Sequence, residues 1–128
     1  MAIQFDGGAD TINFGDVGII RSISMWTKPN SVTEEFLLVD TGKDIGISSG
    51  TVTYVGLTAT DTFVDGVSTT TLVADRWQHL VCVLNADVDA NNLEAATDGT
   101  NFGNVAISDI KIYDRVLTNL QVIDLIKK

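Results

Sequence analysis

Apolar and polar positions alternate with a period of two along most of this chain, in short runs punctuated by glycine, asparagine and aspartate. Period two sets successive side chains on opposite faces of an extended backbone, so the pattern predicts strands. The strongest run is residues 75–85, Asp-Arg-Trp-Gln-His-Leu-Val-Cys-Val-Leu-Asn. Trp77, His79, Val81 and Val83 share one side, and Gln78, Leu80, Cys82 and Leu84 the other. Both sides are largely apolar, so neither can face water along its whole length. The segment is expected to be a central strand covered on both faces.

Residues 3–5 and 11–14 read as two short strands separated by Gly7-Gly8. Residues 21–28 carry Ile23 and Met25 on one face and Trp26 on the other. Pro29-Asn30 ends that strand, because proline offers no backbone donor to a ladder. Residues 36–40 are compact and apolar, and 45–48 and 51–57 flank Ser49-Gly50 as a hairpin. The sharpest turn signal is Asp65-Gly66, between 62–64 and 67–69, since both central positions of a tight hairpin turn favour positive φ. A β-branched stretch at 69–73, a weaker strand at 92–97 and a strong one at 106–113 bring the total to roughly ten, as in an antiparallel sandwich.

The one convincing helix comes last. Thr118 and Gln121 have the spacing of a capping box, and Leu120, Ile123 and Ile126 form an apolar stripe. Lys127-Lys128 would complement the negative end of its dipole. The predicted fold class is all-β, with two antiparallel sheets and one short C-terminal helix.

At 128 residues the chain is expected to form one domain, residues 1–128, with a core of its own. Its composition is 45% hydrophobic and its mean hydropathy is positive, which points to self-association or a place in an assembly. No apolar run approaches the roughly 20 residues of a membrane-spanning helix, so membrane insertion is not expected. A net charge of −9 repels phosphate backbones and disfavours nucleic-acid partners. It suits a cation ligand or a salty medium, and solubility alone also accounts for it. The N-terminal Met-Ala-Ile-Gln-Phe-Asp lacks the pattern of a secretory signal. The chain is therefore expected to stay where it is made, to leave by a route needing no signal, or to be cut from a longer protein.

Cys82 is the only cysteine, which forbids an internal disulfide and is expected to be a small buried apolar residue. His79 is the only histidine, and Cys82 lies three residues on, across the strand from it. A nucleophile must lie within hydrogen-bond reach of its base, so no catalytic pair is expected, and His79 reads as a strand histidine bonded to a neighbour. One histidine and one cysteine do not make a zinc site. Glu34, Glu35 and Glu94 are the only glutamates, and no pair stands out for glycoside hydrolysis. No catalytic residues are therefore assigned.

Asp87, Asp89, Asn91 and Asp98 match the outline of a calcium loop, with oxygens at alternating positions and at the twelfth. Asn92 replaces the glycine of the sharp turn, Asp98 stands where glutamate is usual, and no helices flank the segment. An acidic surface loop is the favoured reading, and no cofactor is assigned beyond that calcium candidate. Among the aromatics, Trp26 and Trp77 sit in the most apolar strands and are expected in the core. Tyr54, Phe63 and Phe102 lie near turns and are the expected ligand-binding rings, Phe102 being the most loop-like. The glycines are isolated turn residues, with no phosphate-binding loop among them.

Phe5-Asp6-Gly7, Ile23-Ser24-Met25-Trp26-Thr27-Lys28-Pro29, Phe63-Val64-Asp65-Gly66-Val67 and Arg76-Trp77-Gln78-His79-Leu80-Val81 together resemble the laminin-G-like, concanavalin A-like lectin/glucanase superfamily. The most specific piece is Ile107-Ser108-Asp109-Ile110-Lys111-Ile112-Tyr113-Asp114-Arg115-Val116-Leu117-Thr118, similar to a run that precedes a short helix in many members. The resemblance spans nearly the whole chain and implies a two-sheet antiparallel jelly-roll sandwich. Members are sugar-binding or adhesion modules, some glycosidases, and frequent parts of bacteriophage tail fibres and virions. The order here, with the Trp-His strand after the Asp-Gly hairpin, departs from many of them, and the catalytic glutamate signature of the glycosidase branch is absent.

The resemblance implies a non-catalytic, lectin-like accessory module of a virion, in a capsid decoration or a tail fibre. Its expected partners are other virion proteins, further copies of itself and glycan, with assembly in a host cytoplasm. The alternative is a carbohydrate-binding module, calcium-assisted or not, of a larger enzyme or cell-surface protein outside the cell.

Overall fold

The computed structural model describes residues 2–127. Eleven strands and one helix follow in order: β1 (Ile3–Gln4), β2 (Ile12–Gly15), β3 (Gly18–Pro29), β4 (Glu34–Asp40), β5 (Lys43–Ser48), β6 (Thr51–Val55), β7 (Ala59–Val64), β8 (Val67–Ser68), β9 (Gln78–Ala90), β10 (Leu93–Ala95), β11 (Val105–Tyr113) and α1 (Asn119–Ile126). They make two antiparallel sheets, six strands in the order β1-β11-β3-β9-β7-β8 and five in the order β2-β10-β4-β5-β6. The fold is an antiparallel β-sandwich closed by a short C-terminal helix, as the alternation predicts.

Strand β9 is covered on both faces. Leu80, Cys82 and Leu84 point between the sheets, where they meet Ile23 and Met25 of β3, Leu37 and Val39 of β4 and Ile45 and Ile47 of β5. Val81 and Val83 point outward, where Phe63, Leu117 and Val122 bury them. Cys82 is a free, fully buried thiol.

Both expected hairpins form. Ser49-Gly50 joins β5 to β6 and Asp65-Gly66 joins β7 to β8, all four residues having positive φ. The capping box is also present: Thr118 Oγ1 accepts from the Gln121 amide at 3.3 Å, and Gln121 Oε1 accepts from the Thr118 amide at 3.0 Å. Lys128 lies outside the described residues.

Several expectations are corrected. The residues either side of Gly7-Gly8 belong to different sheets, since β1 pairs with β11 and β2 with β10. Strand β9 runs on to Ala90, because backbone pairing with β3 continues where the side chains turn polar. The stretch at 69–73 makes only one isolated bridge, Thr71 with Thr51. On α1 the buried side chain is Val122, whereas Leu120 is 80% exposed. Ile123 and Ile126 lie over Gly66 at the hairpin turn, so the helix rotates its apolar stripe partly off the sheet.

Phe63, expected at a ligand surface, is buried on the outer face of the six-stranded sheet against Val81 and beneath α1. Trp77, expected in the core, is 40% exposed. The β9 ladder starts one residue later, at Gln78. The Gln78 side chain instead ties down the preceding turn, accepting from the Val73 amide and donating to the Val73 and Arg76 carbonyls at 2.9–3.0 Å. Trp26 is half-buried, beyond the cover of the helix.

Gly103 sits where the 96–104 segment crosses β4, with no room for a side chain: a Cβ there would collide with the Glu35 carbonyl oxygen. Gly103→Ala should lose about 2–3 kcal/mol of stability, read from the midpoint of a urea titration.

Candidate functional site

The outer face of the six-stranded sheet carries the side chains at even positions of β3 from Ser22 on, past the bulge that follows Ile20, and the β9 side chains of His79, Val81 and Val83. Cross-strand pairing brings Trp26 opposite His79 and Ser24 opposite Val81. On the other side of β3, Ser108 stands opposite Trp26. Helix α1 covers the Val81 end of this face. At the other end the sheet lies open, and Trp26, Trp77, Ala2 and Ser108 line an apolar groove of about 220 Å³.

Next to that groove, with Trp26 as the shared wall, is a polar slot of about 70 Å³ lined by Ser24, His79, Asp109, Lys111 and Leu125. The His79 ring stands edge-on to Trp26, centroids 5.1 Å apart at 64°. Its backbone amide donates to Asp65 Oδ1 at 2.9 Å, but Nδ1 of the ring is buried without a partner. The bond that His79 makes to its neighbour Asp65 is thus a backbone one. Ser24 Oγ, on the same face, is likewise buried and unpartnered. Burial holds the His79 pKa below its usual value; Asp65 opposes this and Lys111 adds to it, and the balance favours the uncharged ring. Asp109, with φ 55°, sits in the irregularity of β11 between Ser108 and Lys111, and its carboxylate accepts from Ser108 Oγ at 3.0 Å.

Tyr54 lines a different, polar groove of about 330 Å³ with Asp61, Thr62, Ser68 and Thr70. Its hydroxyl is bonded to Thr62 Oγ1 at 2.5 Å, and Asp61 Oδ1 already accepts from Ser68 Oγ at 2.7 Å. Phe102 is 38% exposed on the loop that covers β4, and lines neither groove. The structure therefore does not gather Tyr54, Phe63 and Phe102 into one surface. A third groove, of about 190 Å³, is apolar and runs between β1 and β2 past Ile3, Phe5, Ile12, Phe14 and Ile107.

The calcium outline is also dispersed. Asp87 and Asp89 lie on β9, not on a loop, and Asp87 Oδ1 is 3.5 Å from Arg21 Nη1. Asn91 Nδ2 donates to Asp40 Oδ2 at 3.4 Å. Asp98 closes a separate turn, accepting from the amides of Thr100 and Asn101 at 2.8 and 2.6 Å. Among the described residues no group of three histidine, cysteine or acidic side chains is placed to hold a metal ion.

The sequence reading missed Ser24, Lys111 and the exposure of both tryptophans. A signal was present: Trp26 shares its face of β3 with Ser22, Ser24 and Lys28, which is not the composition of a core face.

No protein-family model matches the chain, and no curated protein matches it in sequence. Among solved structures, a botulinum neurotoxin type G receptor-binding domain is similar, with a TM-score of 0.50 and 14% identity over 98% of this chain. The chain spans 44% of that domain's length, and at this identity the likeness is one of fold alone.

On the opposite sheet, Glu35 is pushed up to about 7 by burial and by Asp98, Asp44 and Glu34 nearby. The folded state thus holds this proton more tightly than the unfolded chain, whose carboxyl titrates near 4.5. The resulting stabilisation is complete below pH 4.5 and is lost as pH rises through 7. Glu35→Gln should flatten this slope and stabilise the protein at pH 8 by about 1 kcal/mol, after allowing for solvent screening of a partly exposed carboxyl. Urea midpoints of the two proteins between pH 4 and 8 measure it.

Proposed function

We propose that this chain is a non-catalytic, lectin-like binding module, an accessory component of a virion in a capsid decoration or a tail fibre. The observation that carries the binding role is Trp77, an indole left out of the core beside Trp26 to form one wall of an open apolar groove. Large aromatics exposed together are costly to leave in water and are typical of the centres of binding surfaces. An indole face suits the C–H face of a sugar ring or an apolar side chain of a partner protein.

The virion setting rests on the motif resemblance, and the sandwich fold agrees with that resemblance. The apolar groove between β1 and β2 offers a second surface for neighbouring subunits, with Phe14 46% exposed. The non-catalytic reading rests on the surroundings of the groups a nucleophilic mechanism would need. Cys82 lies on the opposite face of β9 from His79, and burial pushes its thiol up to about 12. The tryptophan groove also favours the second reading, a carbohydrate-binding module of a larger enzyme or cell-surface protein.

A glycan array and sedimentation with virus particles separate the two. Binding to particles supports the first reading, and glycan binding with no particle partner supports the second. In either case Trp77→Ala should weaken binding about tenfold or more, with the protein still folded despite losing about 1–3 kcal/mol from the buried part of the indole. Unchanged binding to every partner would remove the groove from consideration.

A further inference from the structure

We infer that the slot beside Trp26 is a specificity pocket for the exocyclic hydroxymethyl group of a neutral hexopyranose whose ring lies in the Trp26–Trp77 groove. This deepens the binding role proposed above and rests on it.

Three features lead there. First, Ser24 Oγ and His79 Nδ1 are almost wholly buried, 1% and 3% exposed, yet neither has a hydrogen-bond partner. A buried polar group without a partner is destabilising, and such groups in native proteins point to water or a ligand. Both line the slot, and a neutral imidazole nitrogen and a hydroxyl are the partners that suit an uncharged alcohol.

Second, size limits what enters. About 70 Å³ is half of the ~150 Å³ cavity that admits a benzene ring, so a pyranose ring stays outside while a –CH₂OH arm fits. The neighbouring groove is larger, about 220 Å³, and apolar, as the C–H face of a sugar requires.

Third, the charges at the slot balance. Lys111 and Asp109 both line it, offering one cationic donor and one anionic acceptor, which favours a polyol over an anion or a cation. The net charge of −9 also opposes an anionic ligand.

A pentopyranose provides the control, since it keeps the ring and loses only the arm. Saturation-transfer NMR and titration would compare methyl β-D-galactopyranoside with methyl α-L-arabinopyranoside, and cellohexaose with xylohexaose. At least one hexose should bind about 3- to 10-fold more tightly than its pentose partner, the value of one or two neutral hydrogen bonds. Ser24→Ala should erase that preference while leaving the pentose affinity unchanged. It should not lower the melting temperature, because its hydroxyl bonds to nothing in the free protein.

Hexose and pentose bound equally, or a preference that survives Ser24→Ala, would overturn the slot and leave the tryptophan groove standing. In that case the slot holds only water. Sugar binding insensitive to Trp77→Ala would overturn the groove, and the slot with it. No binding of any of the four sugars would also overturn the inference, whereas particle binding lost on Trp77→Ala would still uphold the groove.

Discussion

Strand β9 must be hidden on both faces, and the rest of the structure answers that requirement. Its backbone is paired on both edges, by β3 and β7, and its inward side chains fill the space between the sheets. Val81 and Val83 point the other way, toward what would otherwise be water. The C-terminal helix meets this need by laying Val122 and the preceding Leu117 over them, beside Phe63. An eight-residue helix is about 12 Å long, whereas a thirteen-residue strand extends about 43 Å. In no orientation can it cover the whole sheet face. The tryptophan groove and the polar slot lie where that cover ends, and Leu125 of the helix forms one wall of the slot.

Serines two residues apart on β3 show what the cover does. Ser22 Oγ donates to the Arg115 carbonyl at 2.7 Å and accepts from the Leu117 amide, so the segment leading into the helix satisfies it. Ser24 faces the same way and is as deeply buried, but nothing reaches it. An unmade bond of this kind costs about 1–3 kcal/mol. Thr27 Oγ1 is also orphaned, on the inward face of β3, and lines none of the grooves described above. Ser24 differs because a polar space lies against its hydroxyl, and the missing partner can come from solution.

The features legible in the sequence are those set by neighbours along the chain. Asp65-Gly66 and Ser49-Gly50 specify their turns through their own φ preferences, and Thr118 with Gln121 caps the helix within one turn. The two-sided burial of β9 was readable because both of its faces are apolar. Phe63 and Trp77 were misplaced because their exposure depends on a distant segment. A phenylalanine beside a hairpin turn reads as exposed until a helix some fifty residues later in the chain covers it. A tryptophan in an apolar run reads as buried until Gln78 turns its amide back to hold the residues before it. The four calcium candidates are spaced for a loop, but backbone pairing draws two of them into β9 and leaves the others on separate turns.

The charge distribution follows from the same division of the sandwich into two outer faces. On the five-stranded sheet, Ile45 and Ile47 point inward, so Asp44 and the paired Glu35 and Gly46 face out. There burial, with Asp98 and Asp44 nearby, raises the cost of ionising Glu35, and burial with Asp98 nearby raises that of Asp44. On the other outer face, the groove and the slot are lined by the tryptophans, two orphaned polar atoms and one charge of each sign. A surface of that character gains little from electrostatic steering and discriminates by shape and hydrogen bonding. Those are the means by which one uncharged polyol is told from another, so the acidic chain and a neutral ligand are consistent with each other.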